Sequence, residues 1–429
     1  MHRGPSPTAS DHVCYPLRHV EIRETPSVVD SWSDAVKDTH PILRLLPELN
    51  AAGPGDLTAT LLAALEPSIG AIDVRLLIAD MEEQHLDVWA ELQASRGSIH
   101  GSADMQGSVQ GEVYRTGETR SASLDGQPTI VAPVTARGDR AGVIEVRVKD
   151  EPDEASLRIC QEVGVLVGYL ITAADRWTDE FHFARRRRTM SLPAEIQWSQ
   201  LPLAAFSSRE IAIAGALEPA YDVGGDSFDY ACGMSAMAAG IFDAMGHGLT
   251  AARLSAFGVA TYRNARRRGD DLEGQARAIH EAVRDCFERE GYMTGQLWSI
   301  DLLAPEHTTV VSAGHPHPIL QRRSTTPEPR PLRGGLPFGV PFDNVLHAEP
   351  FPLEPGDRLT MFSDGILDAT PDDGDEFGLE SLRSELAEAR SAPPREAARR
   401  IIRAVRLHRA ADLVDDATVV IVDIPVAGR

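Results

Sequence analysis

Four aspartates stand where this chain could do chemistry. Asp226 closes a Val-Gly-Gly-Asp segment (223–226) and Asp243 opens Asp-Ala-Met-Gly-His-Gly (243–248). Asp364 stands in Phe-Ser-Asp-Gly (362–365), and Asp415 opens Asp-Asp-Ala-Thr (415–418). Each lies at the end of an apolar, strand-like run or beside a glycine turn, where a carboxylate can point out of a rigid sheet toward a shared point. Oxygen-only ligands suit hard cations such as Mg²⁺ or Mn²⁺. Two such ions can activate water against a phosphate ester. Singly, each aspartate also reads as a turn, a cap or a solvated loop carboxylate. Four at strand termini, each beside glycine or a second aspartate, exceed what chance would place in one domain.

The surroundings sharpen two of these segments. Gly224 and Gly225 let the backbone approach an ion or phosphate closely, or take positive φ. Asp243 directly follows an apolar strand pattern (238–242). The glycine-flanked turn after it opens a helix, whose first amides suit an anion. At that junction Asp243 can bridge two cations while a turn carbonyl supplies a further ligand. His247 reads as a turn residue rather than a general acid, and His315 as a loop-packing residue.

Positioning these groups falls to a C-terminal region spanning about 205–425. Strand patterns cover 211–216, 237–242, 297–303, 308–312, Arg358–Phe362 and 418–422. Helical faces recur at Leu249, Ala252, Ala256, Val259 and Ala260, and at Leu272, Ala276, Ile279, Val283 and Phe287. Paired strands around helices fit two packed sheets with helical outer layers, an α+β class with an α-β-β-α sandwich. Upstream, 57–65 is helical in pattern, 73–78, 130–134 and 141–148 have strand character, and 137–140 is a hairpin turn. That mixture predicts a small α+β sensor domain over 36–152, preceded by a loose tail at 1–35.

Between the two regions, 153–204 reads as a helical, coiled-coil-like linker. Ile159, Val163, Leu166, Leu170, Ala173 and Trp177 recur in steps of four and three. A single long helix packed on its own domain and a parallel homodimer stalk both fit that spacing. Arg185, Arg186, Arg187 and Arg188 read as a solvated helix face. A short amphipathic piece follows at 195–201.

The formal net charge of −22 disfavours nucleic acid and anionic membrane as partners. Cys14, Cys160, Cys232 and Cys286 lie far apart, so neither a disulfide framework nor a zinc site is expected. No cysteine has the arginine spacing of a thiolate phosphatase loop. Cys232 and Cys286 read as small buried apolar residues. The first residues lack a signal-peptide core, and the longest apolar stretch, 163–174, is short for a bilayer span. A cytoplasmic protein is expected.

In order along 210–425 the chain carries Glu-Pro-Ala-Tyr-Asp-Val-Gly-Gly-Asp (218–226), Asp-Ala-Met-Gly-His-Gly, Asn-Ala-Arg (264–266) and Ser-Ala-Gly-His-Pro (312–316). Gly-Leu-Pro-Phe-Gly (335–339), Gly-Asp-Arg-Leu (356–359), Phe-Ser-Asp-Gly, Phe-Gly-Leu (377–379) and Asp-Asp-Ala-Thr follow. Together these segments resemble the metal-dependent serine/threonine protein phosphatases of the type 2C fold, in their bacterial SpoIIE-like branch. The resemblance implies that Asp243 bridges two metal ions, Mn²⁺ or Mg²⁺. It implies that Asp364 and Asp415 bind the first ion, and that Asp226 with the backbone carbonyl of Ala244 serves the second. Asp243 and Asp226 are then the catalytic pair, and Asp416 has at most a supporting role. The broader fold often has glycine where Ala244 stands; a backbone carbonyl serves either way. The phosphate-gripping arginine of the eukaryotic members has no counterpart motif here.

The implied activity is hydrolysis of phosphoserine or phosphothreonine on a regulatory protein of the anti-anti-sigma type, by metal-activated water. Two alternatives stay open: a pseudophosphatase that binds without turnover, and a small-molecule phosphoesterase. Further upstream, Gly107 to Gly117, Val131-Ala-Pro-Val134 and Ala141-Gly-Val-Ile-Glu-Val146 resemble a GAF sensor domain. That likeness implies a small-molecule ligand or a pairing role.

Overall fold

The computed structural model describes residues 41–89, 101–218, 221, 224–287, 291–323, 325–371, 374–409 and 416–426. The expected tail at 1–35 and the candidate ligand Asp415 lie outside them. In chain order the elements are α1 (Pro41–Ala51), α2 (Leu57–Ile69), β1 (Ala71–Ala79), β2 (His85–Val88), β3 (Ala103–Asp104), α3 (Val109–Thr116), β4 (Arg120–Leu124), β5 (Gln127–Ala136) and β6 (Asp139–Val148). Then come α4 (Glu154–Ala174), α5 (Glu180–Ala184), α6 (Leu192–Gln200), β7 (Ala205–Ser207), β8 (Ala212–Glu218), β9 (Asp226–Cys232), β10 (Ala236–Ala244), α7 (Gly248–Arg268) and α8 (Leu272–Phe287). The chain continues through β11 (Met293–Asp301), β12 (Thr309–Ala313), β13 (Ile319–Gln321), β14 (Glu328–Pro329), β15 (Glu349–Pro350) and β16 (Arg358–Phe362). It closes with α9 (Asp364–Leu367), α10 (Gly378–Glu388), α11 (Pro394–Arg409) and β17 (Ala417–Asp423).

β1 to β6 form one antiparallel sheet in the order β3-β2-β1-β6-β5-β4. The β5–β6 hairpin closes on Arg137 and Gly138, both at positive φ, between the paired residues Ala136 and Asp139. That is the two-residue turn whose twist matches a hairpin. α4 lies flat on β5 because two of its residues have no side chain. A Cβ on Gly164 or Gly168 would come within 2.2 or 2.4 Å of the carbonyls of Pro133 and Thr135.

This packing corrects the linker expectation. The helix stops at Ala174, a separate short helix begins at Glu180, and Trp177 falls between them with its ring exposed. The buried face is Cys160, Val163, Gly164, Val167, Gly168, Ile171 and Ala174. Of the expected seam, Ile159, Leu166 and Leu170 are only partly buried. One helix on its own sheet is what the molecule shows. At 21 residues it is long and apolar enough, by length and composition alone, to cross a bilayer, yet that face is spent on the sheet.

The arginine run is corrected too. Arg187 grips the fully buried Asp87 through two N–H groups, Arg188 reaches Glu82 at 2.9 Å, and Arg186 reaches Glu195 at 3.0 Å. These side chains bind the connector to the first sheet and to α6. Cys232 and Cys286 are exposed rather than buried; Cys160 is buried.

The C-terminal region holds the four expected layers. A five-stranded sheet, β15-β12-β11-β10-β9, faces a six-stranded one, β14-β13-β16-β17-β8-β7. Phe228, Ile241, Trp298, Met361 and Val420 share the apolar core between them. α7 and α8 cover the outer face of the first sheet through Leu254, Tyr262, Ile279 and Val283. α10 and α11 cover the second through Leu382, Leu386, Ile401 and Val405. Sequence patterning misses β9, whose Ser227 and Asp229 are buried although polar.

A buried cation stands among the contacts between the two regions. Arg395 of α11 donates to Glu83 at 2.6 Å, to the Tyr114 hydroxyl at 2.8 Å, to the Arg140 carbonyl at 3.2 Å, and to Asp139.

Candidate metal centre

Antiparallel pairing of β9 with β10 sets Asp226 directly opposite Asp243. Side chains so placed are nearest neighbours, and like charges there repel. Asp226 is 2% exposed. Burial first, then the charges of Asp243 and Asp416, push its carboxyl well above the usual range. Ser363 opposes that shift, donating its hydroxyl to Asp226 Oδ2 at 2.6 Å. The same hydroxyl oxygen accepts from the Thr418 amide at 2.9 Å, which joins the strand ends of β16 and β17 to β9.

Asp416 supports the backbone that carries Asp226. Its Oδ2 accepts from the amides of Gly225 and Asp226, at 2.8 and 3.0 Å, and from Gln197 Nε2 at 2.8 Å. Gln197, on α6, also donates to the Asp226 carbonyl at 2.7 Å. One carboxylate and one amide side chain thus fix the backbone from which Asp226 projects. Sequence reasoning missed Gln197 and Ser363. A lone glutamine on a short amphipathic helix carries no signal, whereas Ser363 stood inside a motif already in view.

Gly225 has a steric reason. A Cβ there would lie 2.7 Å from the Ala244 carbonyl oxygen, the group that the family resemblance implies as a backbone ligand. The Ala244 amide in turn donates to the Gly225 carbonyl at 3.2 Å. The turn after Ala244 needs positive φ at Gly246 and Gly248. His247 caps α7 without a side-chain cap bond and is exposed, as a turn residue would be.

Asp364 is the exposed first residue of α9. Its neighbour Gly365 packs on the Asp416 carbonyl so closely that a Cβ would lie 2.0 Å away. The Asp364 turn and the start of β17 therefore touch. Behind the cluster, His315 is buried, which pushes it down to about 3, and its Nδ1 lies 2.8 Å from Thr294 Oγ1. Thr294 sits opposite Asp243 on β11. Asp229, on the opposite face of β9, is held by Arg263 and Arg266 of α7.

The structure thus gathers the Asp226, Asp243 and Asp416 segments around Ser363 and sets the Asp364 turn against Asp416. Among the described residues, no group of three or more His, Cys, Asp or Glu side chains is close enough to hold a metal ion. The donor set nonetheless fits a hard cation. It consists of oxygens alone, and the crowding of buried carboxylates that raises Asp226 is what a divalent ion relieves.

Residues 234–425 match the profile of a family described as "Stage II sporulation protein E (SpoIIE)", so the C-terminal half carries a SpoIIE-family domain. Among solved structures, similarity extends to the RsbU and RsbW domains of Rv1364c from Mycobacterium tuberculosis (20% identity, TM-score 0.43, 51% of this chain and 61% of that one). It extends also to the PP2C phosphatase domain and regulatory fragment of SpoIIE from Bacillus subtilis (24%, 0.42, 51% and 65%). A third is the SiaA-PP2C domain of Pseudomonas aeruginosa (20%, 0.45, 54% and 93%). The chain spans less than two thirds of the first two. No curated protein sequence matches it.

Proposed function

We propose that the region 205–425 is a metal-dependent protein phosphatase, hydrolysing phosphoserine or phosphothreonine on a regulatory protein of the anti-anti-sigma type. One observation carries this reading: Asp226 and Asp243 are paired across adjacent strands, with Asp226 buried and driven up by neighbouring carboxylates. A fold that only needed stability would not crowd negative charge so. The SpoIIE-family match over 234–425 supports it.

In this reading Asp226, Asp243, Asp364 and Asp415, with the carbonyl of Ala244, hold two Mn²⁺ or Mg²⁺ ions. When bound, such a pair supplies a more acidic water and a counter-charge to the phosphoryl oxygens. The chain's own groups do the positioning. Gln197 and Asp416 hold the Asp226 backbone, Ser363 orients its carboxylate, and Gly225 leaves the Ala244 carbonyl clear. Residues 36–152 act in this reading as a GAF-like sensor, 153–204 as the connector, and the protein works in the cytoplasm. The acidic surface disfavours nucleic acid, membrane is no partner, and a homodimer through the connector remains part of the proposal.

Hydrolysis of para-nitrophenyl phosphate with Mn²⁺ tests the enzyme. Asp243→Asn should lower the rate roughly a thousandfold, about 4 kcal/mol of lost barrier reduction. Equal rates for the two proteins end the proposal. A phosphopeptide that turns over no faster than nucleotides would replace the protein substrate by a small phosphoester.

A further inference from the structure

The two sheets of the C-terminal region carry different parts of the aspartate cluster. Thr294, Asp243 and Asp226 lie in one row across β11, β10 and β9. Strand alternation turns that row toward the second sheet, because Trp298, Ile241 and Phe228, an even number of residues along the same strands, pack in the core between the sheets. The second sheet contributes Ser363 and the Asp364 turn, at the end of β16. Carboxylates from both sheets can share ions only if the spacing between these two ends is held.

His315 stands where the chain crosses from one sheet to the other. It leaves the first at Ala313, turns at Gly314 with a φ of 67°, and enters the second at Ile319. The backbone on both sides of the histidine is fixed. A Cβ on Gly314 would lie 2.8 Å from Pro337, and the Pro316 carbonyl accepts from the buried Gln296 at 2.7 Å. The imidazole is itself buried, and its Nδ1 lies 2.8 Å from the hydroxyl of Thr294, the residue paired with Asp243. Nε2 is buried without a partner of hydrogen-bonding geometry among the described residues. The Phe362 carbonyl, next to Ser363, still pulls the ring toward its charged form, and burial overrides that pull. A neutral imidazole carries one acceptor and one donor. A hydroxyl at Nδ1 and a carbonyl beyond it suit the tautomer in which Nδ1 accepts from Thr294 and Nε2–H turns to Phe362.

We propose that His315 is a positioning residue, a neutral crossbar between Thr294 of the first sheet and the Phe362 end of the second, which holds Asp243 and the Asp364 turn to one spacing. The proposal rests on the phosphatase reading of the aspartate cluster. It gives the ring a part in metal binding beyond packing its loop.

The test measures Mn²⁺ binding to the full chain by calorimetry, alongside the melting temperature without metal. His315→Leu keeps the bulk and loses both nitrogens; Thr294→Val keeps the shape and loses the hydroxyl. Each should weaken Mn²⁺ binding about tenfold or more, the usual cost of losing a group behind a metal ligand. The double variant should bind no more weakly than His315→Leu alone, because both changes break one link. His315→Asn, whose amide oxygen can take the place of Nδ1, should recover most of the affinity. A lower metal-free melting temperature with Mn²⁺ affinity intact in both single variants marks a structural role and overturns the proposal. So does a double variant whose losses multiply, or His315→Asn binding no better than His315→Leu. Those results leave the phosphatase reading standing, whereas a wild type that binds no Mn²⁺ removes that reading and this proposal with it.

Discussion

Two buried charge clusters in this molecule are built on opposite principles. At the junction of the regions, Arg395 is surrounded by Glu83, Asp139 and Tyr114. Burial alone would raise Glu83, yet Arg395, with Arg399 and Arg185, outweighs it and holds the carboxyl below its ordinary value. Burial likewise works against the Arg395 charge, and Glu83, Tyr114 and Asp139 more than offset it. At the strand ends of the C-terminal region the sign is reversed. There burial and two neighbouring aspartates act together on Asp226, with only hydroxyl bonds opposing them. The charge of the first cluster is balanced by the chain itself; that of the second is left for something else to neutralise.

Breaking the balanced cluster should cost most. Arg395→Met strands Glu83 and Asp139 in a buried junction without their closest cation. Loss of one member of a buried pair costs about 3–5 kcal/mol. Urea unfolding should show that loss, with the first sheet melting separately from the C-terminal sandwich. A single unchanged transition would mean that the junction contributes little.

The pH profile of the same cluster comes next. Because Glu83 titrates below its ordinary 4.5 in the folded state, its stabilisation is complete above that value. It is lost as pH falls through the lower folded value, since there the folded state must also take up the proton. Glu83→Gln should therefore cost about 1–3 kcal/mol near neutrality. The difference from wild type should close as pH drops below the ordinary carboxylate range and the folded state takes up the proton. A gap that stays constant with pH would assign the effect to packing instead.

The unbalanced cluster should respond in the other direction. Asp226→Asn removes a repelled carboxylate while keeping an oxygen for Ser363. Without metal the variant should be more stable by about 1–2 kcal/mol, the usual exchange of stability for function. With Mn²⁺ the wild type should gain thermal stability and the variant should not. A lower melting temperature for metal-free Asp226→Asn would make that carboxylate structural, and the contrast between the clusters would fail.

How far the sequence foretells these clusters follows from range. The apolar strand run Arg358–Phe362 and the helix 272–287 emerge with their observed bounds, because periodicity is local. Asp226, Asp243 and Asp364 sit where glycine turns and strand ends said they would. β9 escapes because its buried residues include Ser227 and Asp229, which blur alternation. α11 escapes although Ala397, Ala398, Ile401, Ile402 and Val405 recur at helical steps, because six arginines mask them. The Arg395 cluster was out of reach altogether. Its partners lie 255 to 312 residues away in sequence, and no local pattern encodes a contact between two regions.

The finest distinction between the clusters rests on Ser363. Its hydroxyl donates to the Asp226 carboxylate, so it favours the charged form that a cation needs, and it accepts from the Thr418 amide in the same plane of contacts. Ser363→Ala takes away the donor and leaves that amide without its acceptor. The ordinary result of losing a partner behind a metal ligand is weaker metal binding, at the low end about tenfold. The Mn²⁺ concentration for half-maximal hydrolysis should rise by that factor while the rate at saturating Mn²⁺ stays near wild type, and Ser363→Thr, which keeps the hydroxyl, should restore it. A fall in the saturated rate with no change in the Mn²⁺ requirement would place Ser363 against the substrate rather than behind Asp226.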